Sequence, residues 1–224
     1  MSSDDLSFMQ KFKVGELVVN AGTPILMEGS NSPQLYTALH GMGLRYKILP
    51  NGARQVINLI FPGDFIGLQA GVMGEMGHSV QATTNMTLCV FDRAAIWSLF
   101  RERPKRAYDL TWLAAAEEHF LGDMLSTLGQ RNAIQAVSWA LTRTFLRGQS
   151  LGLVHNDEMK FPYKQQDLAD ALGLSLVHTN KTLGRIRSQQ LADWSDGMLR
   201  INALEKLAEI AMVEDLTVDA RPIM

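Results

Sequence analysis

The sequence predicts an α+β protein in three successive parts: an antiparallel β-roll, one long helix and a winged helix-turn-helix. Three observations predict it. Between Val14 and Phe91, turn signals separate β-rich runs at intervals of about 10 residues. After Pro104 the chain runs to Leu128 with no further proline and no glycine before Gly122, in an apolar pattern of helical period. Around Gly173, two short amphipathic segments are followed by a hairpin signal at Asp196-Gly197. The expected boundaries are 1–103 for the roll, 104–128 for the helix and 129–224 for the winged part.

In the first part, "GELVVNAGTPILMEG" carries Gly-Thr-Pro and Glu-Gly turn signals, and "HGMG", "PNG" and "FPGD" follow downstream. Pro50-Asn51-Gly52 lies between the β-rich runs "LRYKIL" and "RQVINLIF". Asn-Gly at such a place supplies the positive φ angles of a hairpin turn. Short strands at this spacing suggest a closed antiparallel sandwich or roll.

The long helix carries two apolar stripes. Leu110, Leu113, Phe120 and Met124 form one, interrupted by Glu117; Ala114, Leu121, Leu125 and Leu128 form the other. A helix with two apolar faces must bury both, one on its own domain and one on a partner helix. A single wide stripe on a core helix is the alternative. The candidate dimer interface is Leu110, Leu113, Glu117, Phe120, Leu121 and Met124.

"RNAIQAVSWALTRTFLRG", Arg131 to Gly148, reads as another amphipathic helix, followed by the polar loop "GQSLGLVHNDEMKFP". The first helix of the pair then runs from about Gln165 to Leu172, with Leu168, Ala169 and Leu172 inward. Gly173 accepts the left-handed geometry that ends a helix. Ser175 is a good N-cap for the second helix, on which Thr179, Leu183 and Ile186 share the inner face. Val177, His178, Lys181 and Arg185 then point outward, and no acid occurs from Ser175 through Ala192. An outward set of donors with a methyl-bearing side chain and no carboxylate suits an element entering the major groove of DNA. The helix N-terminus at Ser175 suits a phosphate contact. "DWSDGMLRI" supplies a two-stranded wing, and "ALEKLAEIA" a terminal helix. There is no internal repeat and no low-complexity tract.

Charge supports a localised nucleic-acid face. The whole chain of 224 residues has a formal net charge of -2, yet residues 129–201 hold 9 Lys/Arg against 6 Asp/Glu. Residues 202–224 hold 2 against 5, and residues 1–128 hold 10 against 12. No apolar run approaches membrane-spanning length, and "MSSDDLSFMQKFK" lacks the pattern of a secretory signal. The single cysteine, Cys89, can form no internal disulfide and cannot alone hold an iron–sulfur cluster. A cytoplasmic location is expected. There is no metal-ligand spacing, no nucleophile–base pairing and no phosphate-binding loop, so an enzyme is not expected. His119 and Asp123, four apart on the long helix, read as a surface hydrogen bond.

These segments together resemble the CRP/FNR superfamily of bacterial transcription regulators over nearly the full length. The resemblance rests on "ILMEG...LYTALHGMGLRYKIL..GARQVINLIFPGDFIGL", on the helix of residues 105–128, and on "QQDLADALGLSLVHTNKTLGRIR" with its wing. "LSLVHTNKTL" is similar to a subgroup common in alphaproteobacteria, with Val-His-x-Asn-Arg/Lys in the recognition helix. The resemblance implies a cyclic-nucleotide-binding-like jelly roll. It also implies a homodimer joined through the long helix, binding a palindromic operator with one recognition helix per half-site, and engagement of RNA polymerase.

Where cyclic-AMP receptor proteins have an Arg-Glu pair and a second Arg, this chain has Leu176, Val177 and Lys181, so a different half-site is implied. His178 and Asn180 are the additional readers. Lys164 stands where the family often has a capping Thr and is assigned to phosphate, with Gln165 beside it. The candidate effector pocket is Gly63, Asp64, Gly67, Leu68, Met76 and His78. Leu68 and Met76 stand at the places of the nucleotide-binding Glu and Arg, and no Arg lies from Ala70 to Asn85, which argues against cyclic AMP. The FNR cysteine cluster is missing from the N-terminal segment. Haem ligation by His40, His78, His119 or Cys89, or oxidation of Cys89, would make the chain an effector-dependent sensor, the alternative reading. No cofactor is assigned.

Overall fold

The computed structural model describes residues 3–217 and 221–222, with side chains from residue 7 onward. The chain divides into two compact units, residues 1–119 with 221–224, and residues 120–220. The expected outer limits, residues 1 and 224, lie outside the described residues.

The first unit begins with α1 (Ser3–Phe12). It continues through β1 (Lys13–Val19), β2 (Pro24–Leu26), β3 (Gln34–His40), β4 (Gly43–Ile48), β5 (Arg54–Ile60), β6 (Phe65–Ile66), α2 (Leu68–Met73), β7 (Ser79–Ala82) and β8 (Met86–Asp92). Two four-stranded antiparallel sheets form, ordered β1-β8-β3-β6 and β2-β7-β4-β5. Apart from the β4–β5 hairpin, consecutive strands alternate between sheets, and the roll closes on apolar residues from both. Tyr36, Ile60, Ile66, Met76, Val80, Met86 and Leu88 are all buried there. A 3-10 turn and α3 (Ile96–Glu102) lead to α4 (Pro104–Gln130). Pro104 opens α4 at the position where a missing N–H is harmless.

The β4–β5 hairpin lies where Asn51-Gly52 placed it, but only Gly52 takes a positive φ, +82°. The turn is wider than two residues: the Leu49 N–H donates to the Ala53 carbonyl, and the Asn51 side chain accepts from the Ala53 N–H. Helices α1, α2 and α3 went unassigned in the sequence because each is short and carries no clear start signal.

The second unit takes up α4 from Phe120. It adds α5 (Ala133–Ser150), β9 (Glu158–Lys160), α6 (Gln165–Leu172), α7 (Leu176–Ser188), β10 (Ala192–Ser195), β11 (Met198–Ile201) and α8 (Leu204–Ala211). Asn132 caps α5 in a reciprocal box with Gln135, at 3.2 and 3.0 Å. The core of this unit is built from Val137, Trp139, Leu141 and Phe145 of α5 with Ile186, Leu199, Leu207 and Ala211. The expected two-stranded wing is three-stranded, in the order β10-β11-β9. Strand β9 lies in the stretch read as a polar loop, where Met159, opposite Leu199, is buried.

Candidate nucleic-acid interface

Helix α6 ends at Gly173, whose φ is +62° and whose N–H donates to the Ala169 carbonyl. Leu168, Ala169 and Leu172 are buried, as the helical period requires. The Ser175 hydroxyl caps α7 by accepting from the His178 N–H at 3.2 Å. Thr179, Thr182 and Ile186 are buried under α7, and Ile186 has no exposed surface. Three anchors at helical spacing fix the rotation of the helix about its axis. The opposite face is consequently held in solvent: Val177, His178, Asn180, Lys181 and Arg185 are all exposed. Val177 is an apolar side chain that is 78% exposed. Such a side chain suits contact with a thymine methyl.

Lys164 is exposed in extended conformation at the start of α6. Lys164 has no capping hydroxyl; the Asp167 carboxylate accepts from the Lys164 N–H at 2.8 Å, the reciprocal half of a capping box, and the Asp167 N–H donates to the Lys164 carbonyl at 2.9 Å. Gln165 is half-buried rather than fully presented.

The wing is fastened to this pair in ways the sequence reading missed. Arg187 pairs with Asp193 of β10 through two nitrogens, at 2.8 and 3.0 Å, so its charge serves the junction of α7 and the wing. Phe161 packs against Tyr163 and Trp194 with ring centroids 5.0 and 4.7 Å away, and the Trp194 indole N–H donates to the Phe161 carbonyl. The β10–β11 turn takes positive φ at both Asp196 (52°) and Gly197 (72°), as its dipeptide demands.

On α4 the two stripes have different fates. Leu110 and Leu113 are buried among Phe91, Leu99 and Phe12 of the first unit. Phe120 stacks on Trp139 with centroids 6.0 Å apart, and Met124 is buried in the second unit. Glu117 accepts from Arg45 (2.7 Å) and Asn58 (2.9 Å). Five of the six residues assigned to a dimer interface are thus engaged within the chain, and of that set Leu121 alone is exposed. The correction follows from the helical period: this stripe faces the chain's own cores, whereas Ala114, Leu121, Leu125 and Leu128 face solvent. Leu125 is 72% exposed, and a Cβ added at the neighbouring Gly122 would meet nothing within 4 Å. This face can accept another helix closely.

The candidate effector residues divide as well. Gly63 and Gly67 take φ of +89° and +95°, turning the chain into and out of β6. Leu68 opens α2 and packs against the Leu35–Phe91 core, and Met76 is core at 2% exposure, so neither lines a polar pocket. Asp64 is 3% exposed; its carboxylate accepts from the Phe61 N–H and pairs with Arg221. The buried arginine of this region comes from β4, which the motif count could not locate. Arg45 donates through its two terminal nitrogens to Glu117 and to the Phe65 carbonyl, while its Nε is buried without a hydrogen-bond partner. Of the haem candidates, His40 and His119 are exposed and Cys89 is buried, its thiol pushed up by burial. Among the described residues no group of three or more His, Cys, Asp or Glu could hold a metal ion. Asp123 pairs with Arg143 at 3.1 Å.

Burial pushes the half-buried His78 imidazole down to about 4, with the Arg45 charge adding to the effect. Between the ordinary value of 6.5 and about 4, the unfolded chain binds a proton that the folded chain does not. Stability therefore falls as pH drops through that window, by up to about 1.4 kcal/mol per pH unit. His78→Gln should flatten the decline in melting temperature between about pH 6.5 and 5. A variant declining as steeply as the parent would show that other groups carry the acid sensitivity.

Comparison with known proteins places matches on both units. A model described as cyclic nucleotide-binding domain matches residues 16–103, and one described as Crp-like helix-turn-helix domain matches residues 124–210. The nitrogen fixation regulation protein FixK of Bradyrhizobium diazoefficiens is 29% identical over 192 residues, covering 83% of this chain and 78% of the relative. The transcriptional activatory protein AadR of Rhodopseudomonas palustris is 27% identical over 171 residues, covering 75% and 69%. The structure of FixK2 from Bradyrhizobium japonicum superposes with a TM-score of 0.77 at 22% identity, covering 88% of this chain and 96% of that one. The first of these relatives is a regulator of nitrogen fixation and the second an activator of transcription. Among the described residues, no helix is long and apolar enough to cross a membrane.

Proposed function

Because the chain belongs to the CRP/FNR family of transcription regulators and carries that family's DNA-binding helix-turn-helix, we propose that it acts as a homodimer on palindromic operators. In this reading residues 1–103 are the roll, 104–128 the dimerisation helix and 129–224 the DNA-binding domain. Two copies meet along the α4 face of Ala114, Leu121, Leu125 and Leu128. Each α7 enters one major groove, with half-sites about one helical turn of DNA apart. Val177, His178, Asn180 and Lys181 read bases, while Lys164, Gln165, Ser175 and Arg185 address phosphates. RNA polymerase, in the cytoplasm, is the partner through which bound dimers change transcription.

The observation that carries the proposal is the acid-free outer face of α7, turned out by the buried Thr179, Thr182 and Ile186. Its cations and amide are exposed, on a helix with no carboxylate to repel phosphate.

The roll is proposed to act without cyclic nucleotide. The terminal nitrogens of Arg45 are held by Glu117 and the Phe65 carbonyl, and Leu68 and Met76 offer a nucleotide neither carboxylate nor cation. Selection of operators from random duplexes by the purified chain alone tests the proposal. The expected product is an inverted repeat bound by one dimer, with an affinity unchanged by added cyclic AMP. Binding only after cell extract or haem is added would favour the effector-dependent sensor instead, and selection of an asymmetric single half-site would overturn the dimer.

A further inference from the structure

Asp64 is a buried carboxylate whose cationic partner lies 157 residues away in the sequence. One carboxylate oxygen accepts from the Phe61 N–H at 2.8 Å, inside the turn leading to β6. The other accepts from Arg221 Nη1 at 3.0 Å. The same Nη1 lies 3.7 Å from Glu117 of α4, whose second oxygen holds Arg45 and Asn58. Arg221 therefore stands at the meeting point of a β-roll turn and α4. With 23% of its side chain exposed, it is largely withdrawn from solvent.

The chain arrives there from a segment with little structure of its own. After α8 ends at Ala211, residues 213–217 form neither helix nor strand. The first unit takes the chain back at Arg221. Arg221, Asp64 and Glu117 all belong to that first unit. A guanidinium suits this task, since its several donors can address two carboxylates while remaining charged at any physiological pH. Asp64, buried, needs such a partner; without one its ionised form would be poorly compensated.

We propose that Arg221 is an intrachain latch: it fastens the C-terminal tail to the Asp64–Glu117 carboxylate pair and couples tail docking to the seating of α4 on the roll. The inference rests on this geometry and stands apart from the DNA-binding reading. The coupling is reciprocal, as linkage requires. Whatever loosens Glu117 from Arg45 and Asn58 loosens the tail, and release of the tail weakens the hold of Glu117 on Arg45 and Asn58.

Hydrogen exchange on the full chain tests it, comparing the parent with Arg221→Ala, Arg221→Lys and Glu117→Gln. Arg221→Ala should speed exchange of the tail amides of residues 213–217 and of the Phe61 amide at least about fivefold, leaving the wing amide of Leu199 unchanged. Arg221→Lys should recover part of the protection. Glu117→Gln should release the tail in the same direction, and the Arg221→Ala, Glu117→Gln double variant should show less than the sum of the two effects. Unchanged protection in Arg221→Ala would overturn the latch. So would faster exchange spread evenly over the chain, which would mark a general loss of stability, or full additivity of the two substitutions. Gel-shift of the same variants on the selected operator separates this test from the DNA-binding proposal, because tail protection can fail while operator binding stands.

Discussion

Leu125→Glu is expected to convert the proposed dimer into a monomer and to weaken operator binding by at least about 100-fold. Leu125 sits in the middle of the solvent-facing stripe of α4 and is 72% exposed. The substitution removes no buried contact within the chain, so the folded monomer should persist with an unchanged far-ultraviolet spectrum. In a two-fold assembly built on this face, the same residue appears on both helices. A carboxylate there would bury charge against an apolar partner and face its own copy nearby. The loss in affinity follows from multivalency. A dimer engages its second half-site at high effective concentration, an advantage of about 100- to 10,000-fold that a monomer forgoes. Sedimentation gives the mass and gel-shift gives the affinity. A variant that remains dimeric would move the interface off this face. Leu113→Glu is the contrasting control: Leu113 is buried in the first unit, so that substitution should unfold the protein rather than split it.

Lys181→Ala is expected to cost about 1–3 kcal/mol per half-site, or roughly 5- to 150-fold, and to relax the preference at one base position. Lys181 is exposed at the centre of the outward face of α7, one turn beyond Val177. Its ammonium donates but lacks the planar fork of arginine, so the low end of that range is expected. Arg185→Ala should behave differently. It lies one further turn along, near the C-terminal end of α7, and should touch phosphate. Its loss should weaken binding to all sequences alike and lower the slope of log affinity against log salt by about one per half-site. Binding to operators with single base changes, measured at several salt concentrations, distinguishes the two. If both variants weaken all sequences equally, the outer face of α7 lies along the backbone rather than in the groove.

Much of the interface was legible because it is local. Gly173, Ser175 and the Asp196-Gly197 pair dictate backbone angles and caps over three or four residues, and each does in the structure what its chemistry requires. Burial at Thr179 and Ile186 follows from the helical period alone. Elsewhere local reading misled. Asn51-Gly52 marked the correct hairpin, but the wider loop left only Gly52 at positive φ. Strand β9 escaped notice because it is three residues long and exists through pairing with β11, whose partner residues lie some forty positions downstream. Lys164 lacks a capping hydroxyl, as its identity suggested, but Asp167 steadies the helix start by accepting from the Lys164 N–H.

The succession of roll, long helix and winged part, the rotation of α7 and the existence of two apolar faces on α4 were determined by the sequence alone. All three depend on periods and turn chemistry that act over a few residues. Which α4 stripe is spent on the chain's own cores was decided only by tertiary structure, since both stripes have the same period and similar composition. The same holds for Glu117, which interrupts an apolar row in the sequence and becomes the carboxylate shared by Arg45, Asn58 and Arg221 in the fold. A charge's partners can lie anywhere along the chain, and only the closed roll brings residues 45, 58, 64 and 221 within hydrogen-bonding reach of one another's partners.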